Sequence, residues 1–524
     1  MMQGDSLQGD KVLVDASGAP VPATRRSAGG RFFATFVDNL SASGQNPRKA
    51  LTGFGVALVA FLVILATPAP AGLAPAAHAT LAVMVWACII WIFEAMPVGI
   101  TGLVIPCLLA VTNAVKPFPK AADGFTNPVV FLCLAAFIFA ALMQAAGLDR
   151  RIALALLEKF RARTVNGVIW SMFAVNVVLS FIIPAANARA ATLLPVMNGI
   201  TRLFGDTERE RAAVKAIVIQ TLVYGSMISG MCILTAHLPN LVLTGLFQKE
   251  LKVSLSYMDW FVLQWPYLFM FVITQWWVQY YFKTRGVEVT GGLATVQQER
   301  AKLPLMGQSE WMILAVFGVI ALAWMTESWH GVASQNIALL GLAVLFIPGM
   351  FGFRWKEIQD RTIWGTLLLL GGALSLSAAM SSTGLATWLA DLIHHGAEGY
   401  AWWGVLLVMM VGTHVIRLGM LSNVAAVTML APVLLALAPR FNLHPVAFTM
   451  LVADTDSFAY ILPTQITAAV IAYSSGTFTN ADYAKVGIVS VLIAIAFGIC
   501  VMAPWYAFLG MPVWDPTAPM PFGR

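Results

Sequence analysis

The chain has 524 residues, of which 59% are hydrophobic and only 11% are charged. Soluble domains carry about 25% charged residues, so this composition excludes an ordinary soluble protein and indicates a polytopic helical membrane protein. The formal net charge of +6 comes from loops between apolar segments, which is typical of membrane topology, and we expect no nucleic-acid partner. The five cysteines lie in apolar segments without CxxC spacing, which indicates buried free thiols.

The first half of the chain begins with a polar segment and continues as apolar spans. Residues 1–47 are rich in Gly, Ser, Asp and Arg and predict a disordered cytoplasmic tail. Residues 51–282 predict scaffold helices, a hairpin at about 168–203 and a long helix at about 217–247 that is interrupted by the sequence GMCILTAHLPN. One span ends at Gly147 and leads into an amphipathic, basic segment.

The second half repeats this order after a polar, cytoplasmic connector at 283–308. Within residues 309–510, one span ends at Gly384 and again leads into an amphipathic segment. The later predicted parts are a hairpin at about 401–437, a broken helix at about 446–473, a last helix at 486–508 and an external tail at 511–524. The repeated order predicts two related halves.

Two stretches at matching places, Phe181–Gly199 and Arg417–Val433, carry polar residues and prolines inside apolar sequence. Each contains an asparagine, a threonine five residues later and then a Pro-Val pair. Irregular backbone and a guanidinium persist at membrane depth only where protein or a water-filled cavity surrounds them. We therefore predict two re-entrant hairpins that build one site.

The lysine and arginine bias of the loops predicts the orientation. With the N-terminus inside, basic loops such as Arg150–Arg163 and Lys283–Lys302 are cytoplasmic, whereas Thr326–Ser334 and Gly384–Tyr400, which lack Lys and Arg, are external. This pattern requires hairpins that return to their own side. It predicts an all-α inverted repeat of about eleven transmembrane helices and two hairpins in a bacterial inner membrane, with an external C-terminus and a midplane substrate site.

Each predicted hairpin tip carries an asparagine, Asn187 or Asn423, whose amide can donate to a carboxylate or accept from a cation. Capping of a helix fragment is the alternative role. Arg189 costs roughly 2.5–3.5 kcal/mol at the bilayer centre, and binding of a substrate carboxylate would offset that cost. A structural salt bridge, or a hairpin short enough to let Arg189 reach the interface, is the alternative. Arg417 is a candidate for the same role, or it lies nearer the surface.

The interrupted long helices place further polar residues at the predicted site. Thr235 and His237 stand where helix N-termini direct partial positive charge at an anion, and Thr464 and Gln465 are their counterparts. His237 can donate to the substrate, carry a proton or be a satisfied structural group.

Three acidic residues border these segments. Asp454 and Asp456 can bind a coupling proton or cation, pair with an arginine or cap a helix. Glu94 is expected to support the turn after the second span rather than to contact substrate.

From Leu51 onward the chain resembles the divalent anion/sodium symporter (DASS) family, solute carrier family 13. WIFEAMPVGITGLVIPCLL resembles its EAxP element, GLDRRIAL its turn into an interfacial helix, and TLLLLGGALSLSAAMSSTGLATWLA its GG…GLA segment. The family carries a Ser-Asn-Thr motif at each hairpin tip, and residues 186–188 and 422–424 resemble it. Its unwound stretches read TPxGTPPN in the first half and LPxxTPPN in the second. Residues 233–240 resemble the first of these, and residues 462–469 resemble the second.

The resemblance implies a homodimer in the lipid bilayer that moves di- or tricarboxylates, or sometimes sulfate, by an elevator-type movement. Most members are coupled to sodium, so sodium ions are the only cofactor that it implies. The implied substrate-binding residues are Asn187, Ala188, Arg189, Thr235, His237, Arg417, Ser422, Asn423, Val424, Thr464 and Gln465. The implied cation-binding residues are Asn187, Gly230, Ala236, Asn423 and Ser457.

Residues 187–189 also resemble the Asn-x-Arg of the 2-oxoglutarate/malate and citrate/succinate exchanger branch. Both tip threonines are replaced, Ala236 stands where the family has a glycine, and the charge of Arg189 could replace one sodium ion. We expect a sodium-coupled carrier of succinate, malate, 2-oxoglutarate or citrate, with sodium-independent exchange and carriage of sulfate or another anion as alternatives. The hairpins disfavour an anion channel. An enzyme is disfavoured because the sequence has no paired carboxylates, metal-ligand cluster or nucleophile–base spacing.

Overall fold

The computed structural model describes residues 47–160, 164–289, 292–349, 352–420 and 422–522. Within these ranges the regular structure is helical, apart from one isolated bridge between Thr164 and Glu288. Ten helices of the described chain are long and apolar enough to cross a membrane, which confirms the predicted all-α polytopic membrane fold. The predicted tail at 1–47 lies outside the described residues except for its last residue.

The helices of the first half include two arms of a hairpin and one long helix that is interrupted. They are α1 (Pro47–Ala66), α2 (Pro75–Phe93), α3 (Val98–Val111), α4 (Pro128–Ala145), α5 (Leu148–Phe160), α6 (Val165–Ile182), α7 (Ala186–Thr201), α8 (Glu208–Cys232), α9 (Leu238–Leu251) and α10 (Tyr257–Tyr281). A π-helical turn at Ile219–Gly225 lies within α8. A 3-10 turn at Leu234–Ala236 separates α8 from α9.

The second half has the same succession of elements after a connector helix. Its helices are α11 (Gly292–Ala301), α12 (Gln308–Met325), α13 (Ser334–Leu345), α14 (Trp355–Arg361), α15 (Trp364–Thr383), α16 (Leu385–Gly396), α17 (Trp402–Arg417), α18 (Asn423–Leu437), α19 (Pro445–Ser457), α20 (Thr467–Tyr473) and α21 (Asn480–Phe508). A 3-10 turn at Pro463–Gln465 precedes α20, as Leu234–Ala236 precedes α9.

Local sequence explains several of the helix ends. The side chain of Asn127 accepts a hydrogen bond from the Val129 amide at 3.0 Å, and Pro128 occupies the first turn of α4. Gly147 and Gly384 adopt φ values of 70° and 84° at matching places, between α4 and α5 and between α15 and α16. Only glycine enters this left-handed region without strain, so both halves turn in the same way.

Two predicted segments differ in detail from the structure. The polar connector at 283–308 contains the helix α11, because its Ala, Gln, Glu and Arg residues favour helix formation. The last helix begins at Asn480 rather than at 486. Thr479 and Asp482 form a capping box, in which each side chain accepts a hydrogen bond from the backbone amide of the other residue.

The hairpins pack across the two halves. The second arm of the first hairpin, α7, contacts α20, and the second arm of the second hairpin, α18, contacts α9 and α19. The scaffold helices α3 and α15 pack so closely that a Cβ atom on Gly102 or Gly372 would collide with the facing backbone. This cross-packing brings both hairpin tips and both helix breaks together. The predicted approach of the hairpins from opposite membrane faces stays a prediction.

Candidate anion-binding site

A cavity of about 230 Å³ lies where the hairpin tips meet the helix breaks. The first residues of α7, α9 and α18 line it, together with the end of α2 and the starts of α15 and α20. The N-terminus of a helix carries unpaired amide donors and partial positive charge. Three helices of 14 to 16 residues therefore direct positive potential into one cavity, which suits an anion.

Polar side chains from both halves line this cavity. Those that were predicted from the sequence are Asn187, His237, Ser422 and Asn423, and Val424 also lines it. Nε2 of His237 is buried and has no hydrogen-bond partner in the described part of the chain. Ser422 accepts a hydrogen bond from the Ala425 amide at 3.3 Å and so caps α18. The cavity therefore offers amide, hydroxyl and imidazole groups to a bound anion.

Arg189 is fully buried behind the first tip, and it is not among the residues that line the cavity. Its Nη1 donates to the carbonyl oxygens of Ile183 at 2.7 Å and Ala236 at 3.1 Å. Its Nη2 donates to the carbonyl oxygen of Ser226 at 2.6 Å. Arg189 therefore ties the first hairpin tip to the first helix break, and a role in direct substrate binding stays a prediction.

Arg417 ties the second tip to the second break. Its Nη2 donates to the side-chain oxygen of Asn423 and, at 2.8 Å, to the carbonyl oxygen of Gln465. Its Nε lies 3.7 Å from Oδ2 of Asp456, and both side chains are fully buried. Arg417 folds back into the protein core to meet these acceptors, and its predicted role at the substrate site and its depth in the membrane stay predictions.

The two arginines meet equivalent carbonyl groups. Ala236 and Gln465 are the last residues of the two 3-10 turns, and each accepts a hydrogen bond from the arginine of its own half. Arg189 follows the tip asparagine in the sequence, whereas Arg417 precedes it. Each half thus places a guanidinium at the carbonyl that ends its 3-10 turn, although the two arginines stand on opposite sides of the tip asparagine in the sequence.

Four of the five residues predicted to bind sodium have an oxygen that already accepts a hydrogen bond from a protein donor. The carbonyl of Ala236 and the side-chain oxygen of Asn423 accept from the arginines. The Ser457 carbonyl accepts from the Asn423 amide at 3.3 Å, and the Gly230 carbonyl accepts from Asn240 at 3.3 Å. Each of these oxygens has a second lone pair that a cation can use, so the predicted cation-binding roles stay predictions.

Several other predicted substrate ligands lie outside the cavity lining. The hydroxyl of Thr235 is 3.4 Å from that of Tyr257, and Gln465 uses its side-chain oxygen to accept from the Ile461 and Leu462 amides. Thr464 is exposed but does not line the cavity, and Ala188 does not line it either. The substrate roles of Ala188, Thr235, Thr464 and Gln465 stay predictions without a contact to this cavity.

The structure adds lining residues that the sequence analysis did not select. Thr467, in the first turn of α20, and Thr366, near the start of α15, both line the cavity. In the LPxxTPPN-like stretch at 462–469, the threonine position holds Ile466 and Thr467 stands at the next position, so the motif alone did not select Thr467. Glu94 ends α2 with a φ of 51° and also lines the cavity, where it pairs with Lys49 at 3.6 Å. The expectation that Glu94 supports this turn without contacting substrate stays a prediction.

A membrane transporter is the class of protein that this fold and central polar site define. The fold is similar to that of the Alcanivorax borkumensis YdaH transporter, with a TM-score of 0.52, 15% identity and coverage of 82% of this chain and 98% of that one. It is also similar to Neisseria gonorrhoeae MtrF, with a TM-score of 0.55, 13% identity and coverage of 81% and 97%. At this identity the likeness concerns the fold alone.

Residues 48–512 match the family described as the sodium:sulfate symporter transmembrane region, and the chain belongs to this family. A Cupriavidus necator relative described as a membrane protein is 29% identical over 478 residues, which cover 87% of this chain and 93% of the relative. The sodium-dependent dicarboxylate transporter SdcS of Staphylococcus saprophyticus is 27% identical over 523 residues, which cover 95% and 98%. The protein is thus an integral membrane anion transporter of the DASS type and not an enzyme.

Proposed function

We propose that the protein is a secondary carrier that exchanges di- or tricarboxylate anions without sodium. One observation carries this proposal. The two equivalent carbonyl groups of Ala236 and Gln465 already accept hydrogen bonds from permanent cations, the guanidinium groups of Arg189 and Arg417. A fixed charge cannot leave the protein as a coupling ion does. The positive charge that a sodium ion would bring is therefore built into the first half, whereas in the second half Asp456, at 3.7 Å, offsets the charge of Arg417.

The surrounding groups support an anionic substrate. Arg189 has no carboxylate within ion-pair distance among the described residues, although it is fully buried. Burial weakens the screening of its charge, so its field adds to that of the helix N-termini at the cavity. We expect Asn187, Ser422, Asn423 and Thr467 to bind substrate carboxylates and His237 to donate a further hydrogen bond. A dicarboxylate places one carboxylate at each tip.

Sodium-coupled symport is the second candidate function. The relative from Staphylococcus saprophyticus is named a sodium-dependent dicarboxylate transporter, and it matches nearly the whole chain. The family description favours sulfate as another substrate. For carboxylate exchange, sodium symport and sulfate transport alike, we propose an elevator-type movement of the hairpins and broken helices against α2, α3 and α15. We also propose that the protein is a homodimer in the bacterial plasma membrane. The predicted inside N-terminus and external C-terminus belong to the same proposal.

Uptake of labelled succinate into proteoliposomes tests the proposal. We expect uptake to require internal dicarboxylate and to be the same with and without an inward sodium gradient. A requirement for sodium together with indifference to internal dicarboxylate would overturn exchange and establish symport. Parallel assays with sulfate identify the substrate class. Folded protein that moves sulfate and not succinate would overturn the carboxylate assignment.

A further inference from the structure

A second cavity lies at the C-terminal end of α7, on the side where the basic loops gather. It has a volume of about 360 Å³ and lies between α5, α7 and the connector helix α11. Its lining is amphipathic, with Arg150, Arg202 and Asn198 on the one hand and apolar residues such as Leu154 and Ile200 on the other. This cavity is separate in its lining residues from the central site.

The charges around this cavity are unbalanced. Nη2 of Arg150 lies 2.5 Å from Oε2 of Glu299, and Nζ of Lys302 lies 2.5 Å from Oε1 of the same carboxylate. One carboxylate is therefore shared by two cations. The guanidinium of Arg202 has no hydrogen bond or ion pair with any described residue, and Arg202 is exposed. The cavity thus retains positive charge and unused donors that complement an anion.

We propose that this cavity binds the phosphate group of an anionic phospholipid. The guanidinium of Arg202 holds the phosphate, and the apolar lining covers the glycerol and the start of an acyl chain. A free phosphate or a small solute would leave that apolar lining in contact with water. Basic pockets between helices on the cytoplasmic side of a membrane suit lipid head groups, and α5 is an amphipathic segment of the kind that lies at the interface.

The bound lipid has a structural consequence for the first hairpin. The cavity joins α7, which is a hairpin arm, to α5 and α11, which are linked to each other by the Arg150–Glu299 and Arg300–Glu158 ion pairs. A lipid in this position contacts all three helices at once. Its binding therefore stabilises the packing of the hairpin base against the connector.

Thermal unfolding of the full-length protein in detergent tests this proposal with three probes: short-chain phosphatidylglycerol, short-chain phosphatidylcholine and glycerol 3-phosphate. We expect phosphatidylglycerol alone to raise the unfolding midpoint in a saturable way. The R202Q variant should bind it roughly fivefold more weakly, the effect of losing one basic contact near the head group. R211Q is the matched control, because Arg211 is also exposed and unpaired among the described residues but does not line the cavity.

The possible contrary results are distinct. An equal stabilisation by glycerol 3-phosphate would overturn the lipid assignment in favour of a free-phosphate site. An equal loss of affinity in R202Q and R211Q would show general surface attraction and would also overturn it. Normal phosphatidylglycerol binding by folded R202Q would exclude the cavity as the binding site. Succinate counterflow is measured after the same purified proteins have been reconstituted into proteoliposomes, so failure of transport is recognised separately.

Discussion

The two hairpin tips hold an arginine over equivalent carbonyl groups but balance its charge differently. Arg189 donates to Ala236, and no carboxylate of the described residues lies within ion-pair distance of it. Arg417 donates to Gln465 and has Asp456 beside it at 3.7 Å. Burial makes an unpaired charge costly, so the first tip is the place where a bound anion provides most stabilisation. The comparison indicates that Arg417 mainly holds the fold together, whereas Arg189 mainly supplies positive charge for a bound anion.

The largest expected effect follows from removing the arginine that has an acidic partner. R417M leaves Asp456 as an uncompensated buried carboxylate, which costs about 3–5 kcal/mol of folding free energy. The double variant R417M/D456N removes both charges and should recover the part of the loss that comes from the unpaired carboxylate, while Asn423 and Gln465 still lack their arginine donor. Thermal or denaturant unfolding of the purified variants measures the difference. A double variant no more stable than R417M would contradict the assigned role of the pair.

Replacing the other arginine should affect transport more than folding. R189Q leaves carbonyl groups of the first tip and break unpaired, at about 1–3 kcal/mol for each unmade bond, but it leaves no buried carboxylate behind. We expect R189Q to unfold with a smaller loss than R417M, while succinate counterflow falls by about tenfold or more. An equal loss of unfolding free energy in R189Q and R417M would show that the acidic partner of Arg417 makes no difference to stability.

A smaller effect should distinguish two threonines of the second break. Thr467 lines the central cavity and Thr464 does not. Loss of one hydrogen bond to a charged carboxylate costs about 1.5 kcal/mol, so T467V should raise the KM for the substrate about tenfold. T464V is the matched control and should leave KM unchanged. The opposite ranking would place the substrate on the other side of the 3-10 turn.

The smallest effects concern two aspartates of the amphipathic helices α5 and α16. The hydrogen bond from Arg440 lowers the pKa of Asp391, whereas burial raises the pKa of Asp149, which accepts a hydrogen bond from Thr192. Because the pKa of Asp391 is lower in the folded protein than in the unfolded chain, its ionised carboxylate stabilises the fold at pH values above about 3.9, the ordinary pKa of Asp. This stabilisation is lost as the pH falls through the lowered pKa. The raised pKa of Asp149 means that its ionisation destabilises the fold as pH rises.

Unfolding midpoints at pH 7, 5.5 and 4 test these opposite signs. At pH 7 we expect D391N to lose less than about 1 kcal/mol, because the ion pair is exposed. D149N should be as stable as the unchanged protein or slightly more stable, and any gain should shrink on acidification as Asp149 itself becomes protonated. Destabilisation by D149N that grows toward pH 4 would contradict the burial argument.

The site was only partly predictable from the sequence. The asparagines at the hairpin tips, Asn187 and Asn423, were selected because polar residues interrupted apolar sequence, and both line the cavity. Thr467 was passed over in favour of Thr464, since spacing alone does not tell which side of a 3-10 turn faces a cavity. The carbonyl of Gln465 could not be predicted as an acceptor for Arg417, because the two residues lie 48 positions apart in the chain.

The sequence alone determined that this protein is a helical membrane protein built from two related halves, because apolar length, breaks and glycine turns are local properties. It also predicted two hairpins and two broken helices, whose re-entrant course stays a prediction. Only the tertiary structure decided which oxygens meet which cations. Cross-packing of α7 on α20 and α18 on α9 brings distant segments together, and those contacts direct both guanidinium groups onto the carbonyls of the helix breaks. The proposed sodium independence rests on that geometry.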